Sequence, residues 1–212
     1  MERGYRLDIR RPRFGDPLPT SLDAYTGAIV FGGPMSANDE EPYIDVEIDW
    51  LSVPLSEGAP LIGLCLGAQM LARHLGARVW PHHNGHVEIG WFGLTPTEAG
   101  QRVLAWPAMV HQFHVEGFDL PRGATLLATG DDQTFPNQAF AIGPSAFAIQ
   151  FHIELTDAMV DRWTAKIGDR AALPGGYPRS HHYDGRALHD AATSQFVDAF
   201  LDHWLASDRR DA

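Results

Sequence analysis

The sequence holds a single cysteine in 212 residues. One thiol can form no internal disulfide and no thiolate metal cluster, so Cys65 is either a small core hydrophobe or a reactive group. Basic residues are also scarce: 16 Lys and Arg face 27 Asp and Glu, a formal net charge of -11. That balance repels nucleic acid and anionic membrane surfaces and favours a small-molecule substrate. No apolar run approaches the roughly 18–20 residues needed to span a bilayer. Residues 1–5 lack the apolar stretch of a secretory signal, so a cytoplasmic location is expected. There is no repeat and no biased tract. With 44% hydrophobic and 10% aromatic residues, the chain predicts one globular domain over residues 1–212, large enough to bury a full α/β sheet.

Residues 24–31 form an apolar run rich in β-branched and aromatic side chains that stops at Gly32, Gly33 and Pro34, which reads as a buried strand entering a tight turn. A helix carrying Ile44, Ile48, Trp50 and Leu51 on one face is expected next. Residues 59–64 make a second short buried strand, and residues 68–74 return to helical composition before Gly76. Short strand-like pieces recur at 78–80, 88–94, 109–111, 125–129, 138–142 and 146–151. A helix is predicted over 156–167 with Thr156 as its N-cap, and another over 190–205 with Phe196, Phe200, Leu201 and Trp204 on one face. Residues 171–186, rich in Pro, Gly, His and Tyr, read as an exposed loop. Early alternation of strand and helix predicts a three-layer α/β domain built on a parallel sheet, with its site at the carboxyl ends of the strands.

Cys65 lies in Gly63-Leu64-Cys65-Leu66-Gly67-Ala68-Gln69, the Gly-x-nucleophile-x-Gly form of a nucleophile elbow with cysteine at its centre. The spacing has a steric reason: a sharp strand-to-helix turn strains the central residue, and the flanking glycines let helix and strands approach without Cβ clashes. The helix N-terminus beside the sulfur favours its thiolate. A thiolate nucleophile needs a base, and Gln150-Phe151-His152-Ile153-Glu154 ends the last strand-like run. Strand side chains alternate faces, which would put His152 and Glu154 on one side, about 7 Å apart along the chain. Glu154 is then placed to fix the imidazole tautomer and stabilise its charge. It also needs an oxyanion site, for which the turn at Gly32-Gly33-Pro34 and the N–H of Leu66 are candidate donors. Each segment also has a plain structural reading: core cysteine, solvated strand end, simple turn.

The turn Gly-Gly-Pro-Met-Ser at 32–36, the elbow at 63–69 and Gln-Phe-His-x-Glu at 150–154 resemble, in order and spacing, the three signatures of class I, or triad-type, glutamine amidotransferases. Glu88-Ile89-Gly90-Trp91, His111-Gln112-Phe113-His114 and Phe118-Asp119-Leu120-Pro121 resemble the stand-alone members that are similar to the amidotransferase domain of GMP synthase. The likeness runs over about residues 5–163. It implies a three-layer flavodoxin-like fold with a mixed, mostly parallel sheet and helices on both faces; the domain then has its core over about 5–167, followed by the loop over 171–186 and the terminal helix over 190–205 read from composition above.

The same resemblance implies hydrolysis of the glutamine side-chain amide through a cysteine thioester, with Cys65, His152 and Glu154 as the triad and no cofactor. Gly33 and Leu66 would supply the oxyanion donors; Gly32, Gln69 and the stretch around His114 would line the pocket for the amino-acid end. Transfer of the ammonia would call for a separate synthetase chain, since the sequence offers no domain to consume it. Two departures stand out. Ile153 occupies the place where the family usually has proline, and as a good strand residue it keeps the i, i+2 geometry. The strand and helix that usually precede the segment like residues 5–9 are absent, so a chain beginning at Met1 is expected to be poorly soluble or oligomeric. A γ-glutamyl peptide hydrolase of the same fold and a non-catalytic binding or regulatory homologue are the competing readings. A metal hydrolase built from His82, His83, His86, His111 and His114 fits less well, because Pro81, Asn84 and Gly85 make the first cluster a loop and not the His-x-x-x-His helix of a zinc hydrolase.

Overall fold

A computed structural model describes residues 3–130 and 134–208. The elements in chain order are β1 (Ala28–Val30), α1 (Pro42–Trp50), α2 (Ser52–Glu57), β2 (Leu61–Leu64), α3 (Leu66–His74), β3 (Val79–Pro81), β4 (Glu88–Pro96) and α4 (Glu98–Val103). They continue with β5 (Met109–His114), β6 (Glu116–Phe118), β7 (Thr125–Gly130), β8 (Asn137–Ile142), β9 (Ala146–Ile149), α5 (Asp157–Thr164) and α6 (Arg179–Leu205). Seven strands form one sheet in the order β1-β2-β9-β8-β7-β4-β5, and β3 pairs with β6 beside it. The expected mixed sheet is present. Its parallel part is β1, β2 and β9, the strands that lead into the site, while the ladders from β9 through β8, β7 and β4 to β5 are antiparallel.

Three layers follow from side-chain alternation. Leu61 of β2 and Ala146 and Ala148 of β9 face a cluster with Ile44 and Ile48 of α1 and Met70 and Leu71 of α3. Ile62, Leu64, Phe147 and Ile149 face the other way, onto Phe196, Phe200 and Trp204 of α6. A strand covered on both faces reads as a continuous apolar run, which is why residues 59–64 were legible as buried strand. The first strand is shorter than its apolar run: β1 covers only Ala28–Val30 and forms a sheet edge, with Ile29 partly and Phe31 largely exposed.

The second half departs from expectation in one respect. Residues 171–186 are not an exposed loop. Gly168–Ala172 is a 3₁₀ turn, residues 174–177 run beside β4 with Ile89 N donating to Gly175 O at 3.1 Å and Tyr177 N to Ile89 O at 3.0 Å, and α6 begins at Arg179, eleven residues before the predicted start at 190. The reason is tertiary: the indole of Trp91 lies so close to Gly185 that any Cβ there would overlap it, and its Nε1 donates to His182 O at 3.1 Å. The 156–167 helix is shorter than predicted, ending at Thr164, and Thr156 caps it by accepting from Met159 N. Among the described residues no helix is long and apolar enough to cross a membrane.

Candidate active site

Cys65 stands between β2 and α3 with φ 50° and ψ -106°, the one non-glycine residue of positive φ among the described residues. Such a conformation costs on the order of 1–3 kcal/mol and persists only where the surroundings fix it. Here Cys65 N donates to Ile149 O at 2.8 Å and Cys65 O accepts from Gln69 N at 3.0 Å. The flanking glycines act as the spacing suggested. A Cβ on Gly63 would lie 2.5 Å from Gly67 O, and one on Gly67 would overlap the carbonyl oxygen of Val30. The first turn of α3 therefore packs directly on the backbones of β1 and β2, with the sulfur at its N-terminus.

His152 follows β9. The strand ends at Ile149, so residues 150–154 lie beyond regular structure, yet the chain stays in register because Gln150 N donates to Gln138 O and His152 N to His111 O, each at 2.9 Å. His152 and Glu154 share a side, as expected: Nδ1 is 2.8 Å from Glu154 Oε1. Burial alone would depress the pKa of His152. The charges of Cys65 and Glu154, and hydrogen bonds to both, outweigh it and push the value up to about 10. Burial opposes ionisation of Glu154 too, but the imidazolium holds its carboxyl below the usual range.

Gly32 completes the convergence. A Cβ built there would be 3.2 Å from both Cys65 Cβ and His152 Cε1, and 3.7 Å from Sγ. A side chain would fill the space over thiol and imidazole. Gly33 is next to it, a Cβ there lying 3.2 Å from Leu66 Cδ2, so the two candidate donor residues are neighbours. Gln69 and His114 are buried. The Gln69 amide donates to Glu116 O at 2.8 Å and faces Gln150 Oε1 at 3.3 Å; His114 Nε2 is 2.9 Å from the buried carboxylate of Glu88. The histidines of the alternative metal site fall in separate places: His111 Nε2 is 2.9 Å from His182 Nδ1, while His82 lies against His83 and His86, with tilted rings, on a loop.

Two residues around the site, one against His152 and one behind His111, escaped sequence reasoning. Trp163 of α5 has its ring centroid 4.6 Å from that of His152. His182 of α6 backs His111, which in turn lies 6.3 Å from His152, centroid to centroid. An aromatic residue about two turns from the Thr156 cap fits a helical apolar position, but nothing local says that it faces the histidine.

The family model for class-I glutamine amidotransferases matches residues 1–161. A glutamine amidotransferase-like protein of Salmonella typhimurium, YfeJ, is 32% identical over 170 residues, covering 76% of this chain and 70% of the relative. The glutamine-hydrolyzing GMP synthase of Porphyromonas gingivalis is 33% identical over 143 residues, 65% of this chain but only 26% of that enzyme. The crystal structure of a glutamine amido transferase from Methylobacillus flagellatus superposes with a TM-score of 0.84 at 26% identity, over 97% of this chain and 86% of that one.

Proposed function

Because the chain belongs to the class-I glutamine amidotransferase family, we propose that it hydrolyses the side-chain amide of glutamine, with Cys65 as nucleophile, His152 as acid and base, and Glu154 as the anchor of the imidazole. The observation that carries this reading is the pairing of His152 with both Cys65 and Glu154, beneath a residue, Gly32, that leaves the space above them open.

In this scheme the thiolate attacks the amide carbon, and the carbonyl electrons move onto an oxyanion held by the N–H groups of Gly33 and Leu66. His152 gives its proton to the amide nitrogen, the C–N bond breaks, and ammonia leaves a γ-glutamyl thioester on Cys65. Water then attacks the thioester, its proton passes to the neutral imidazole, and glutamate departs as the thiolate and imidazolium are restored. Gly32, Gln69 and the stretch around His114 line the pocket for the amino-acid end. No step calls for a cofactor. The ammonia goes to an acceptor on a separate synthetase chain; support for this is the GMP synthase relative, of whose length this chain spans about a quarter.

Exposure to a diazo-ketone analogue of glutamine, followed by mass spectrometry, tests the proposal. One adduct on Cys65 is expected, with lower yield in His152→Ala; no adduct in the wild-type protein overturns it. Ammonia release from glutamine, set against amino-acid release from γ-glutamyl dipeptides, separates this activity from a γ-glutamyl peptide hydrolase. Silence on both substrates leaves the non-catalytic homologue.

A further inference from the structure

A triad accounts for the two edges of the His152 imidazole and leaves its faces undescribed. Trp163 packs against the same ring, with centroids 4.6 Å apart and planes inclined at 59°. The placement follows from the local chain. Thr156 caps α5 just past Glu154, Val160 and Thr164 are buried and anchor the helix, and Thr164 Oγ1 donates to Val160 O at 2.7 Å. The indole, half-buried, comes back over the strand end, with Phe113 at 5.2 Å and His111 at 6.1 Å on its other contacts. The indole is partly exposed, and the histidine against which it packs is buried.

We propose that Trp163 is a positioning residue for the reaction: its indole holds the His152 ring in line between Cys65 and Glu154, excludes water from that face, and favours the cationic imidazole through its π surface. An aromatic face within about 6 Å of a cation attracts it, and more strongly where water is excluded. The inference rests on the triad reading above and adds to it a group that neither attacks nor exchanges a proton. The titratable groups facing His152 are Cys65 from the elbow, Glu154 from its own segment and His111 from β5, with His182 and Arg186 of α6 behind His111. Burial first, then repulsion by His152 and its cationic neighbours, holds His111 well below the ordinary histidine range, so the ring behind Trp163 is neutral and does not compete for the charge.

The sole thiol supplies a readout independent of turnover. Alkylation of Cys65 by iodoacetamide is followed from acid to alkaline pH in the wild type, Trp163→Phe and Trp163→Leu, together with kcat and KM for glutamine. In the wild type, alkylation that persists at mildly acidic pH reports the thiolate–imidazolium pair. Its absence refutes the triad reading and the inference with it. Leucine keeps apolar volume without a π face, and is expected to lower acid-side alkylation and kcat by about 5–10-fold, with KM changed less than about twofold. Phenylalanine keeps a weaker face and is expected to stay within about threefold of the wild type. A leucine variant with the wild-type pH profile, or equal losses in both variants, overturns the proposal, because a purely structural wall would treat the two alike. If the leucine variant does not fold, an imidazole NMR titration of His152 in Trp163→Phe decides: a lower midpoint than in the wild type supports the role, an unchanged one overturns it.

Discussion

Replacing Glu154 with glutamine keeps an acceptor oxygen 2.8 Å from His152 Nδ1 and removes only the charge. A hydrogen bond to a charged group is worth about 1.5–3 kcal/mol against about 0.5–1.5 kcal/mol for a neutral one, so the substitution weakens the hold on the imidazolium by about 1–2 kcal/mol. The carboxylate is 20% exposed, and the water that reaches it places the effect in the lower half of that range. One kcal/mol and a little more corresponds to about tenfold in an equilibrium and about one pH unit in a titration. The imidazolium of the wild type persists to a pKa of about 10. Its loss on the alkaline side removes the proton donor for departing ammonia, so the alkaline limb of kcat in Glu154→Gln is expected to move down by about one pH unit, with kcat about fivefold below the wild type near pH 10 and little changed near neutrality, where the imidazolium still predominates. The assay is ammonia release from glutamine between pH 6 and pH 10.5, on protein shown by circular dichroism to be folded. An unchanged limb and an unchanged kcat would refute the argument that the carboxylate acts by charge; a lower kcat with an unmoved limb would assign it orientation alone.

Three other perturbations probe the frame. Gly67→Ala sets a Cβ into the carbonyl oxygen of Val30, backbone against backbone, so a loss of about 1–3 kcal/mol or more is expected in urea unfolding, and near-wild-type stability would remove the steric account of the elbow. Phe200→Ala empties a fully buried position between α6 and the sheet and is expected to destabilise by about 3–5 kcal/mol in one cooperative transition; a separate early transition would show that α6 melts apart from the rest. The buried histidines give stability two opposite pH dependences. His111, depressed by burial and by neighbouring cations, contributes fully above the unfolded value near 6.5 and loses stability as pH falls below it, at up to about 1.4 kcal/mol per pH unit. His152, raised to about 10, contributes fully below about 6.5 and loses its share as pH rises through 10. Unfolding midpoints at pH 5, 7 and 9 should therefore peak in the middle, and His111→Gln should flatten the acid side; an equal acid slope in that variant would contradict the assignment.

The parts of the site that were legible in the sequence share one property: their residue types answer to local geometry. Glycine at 63 and 67 is demanded by backbones in contact, and Gly32 by the space over thiol and imidazole, so the spacing carried the information by itself. Glu154 followed from the i, i+2 relation, which survives although the strand ends at Ile149. The start of α6 was not legible, because His181, His182 and Gly185, just after Pro178, have loop composition and become helix through contacts some 90 residues away, among them the bond from Trp91 Nε1 to His182 O. Pairing direction was equally hidden. A short apolar run reads the same in a parallel or an antiparallel ladder, and only the order of strands distinguishes β9 beside β2 from β8 beside β9.

The parallel half of the sheet explains why three segments far apart in sequence meet at one point. Val30 pairs with Gly63, and Gly63 with Ala148, so β1, β2 and β9 run in the same direction and are level with one another. Two residues beyond that level the chain reaches Gly32, Cys65 and Gln150, and two further along the third strand it reaches His152. The separation of nucleophile and base is therefore set by ladder register and not by the length of any loop. Because side chains alternate along a strand, a slip of one residue between β2 and β9 would turn His152 away from the sulfur and take Glu154 with it. The antiparallel strands hold the end of that segment in line, through the carbonyls of Gln138 and His111, and with α6 they add cover, through His111, Phe113 and His182, for a charge that the three level strands bring together.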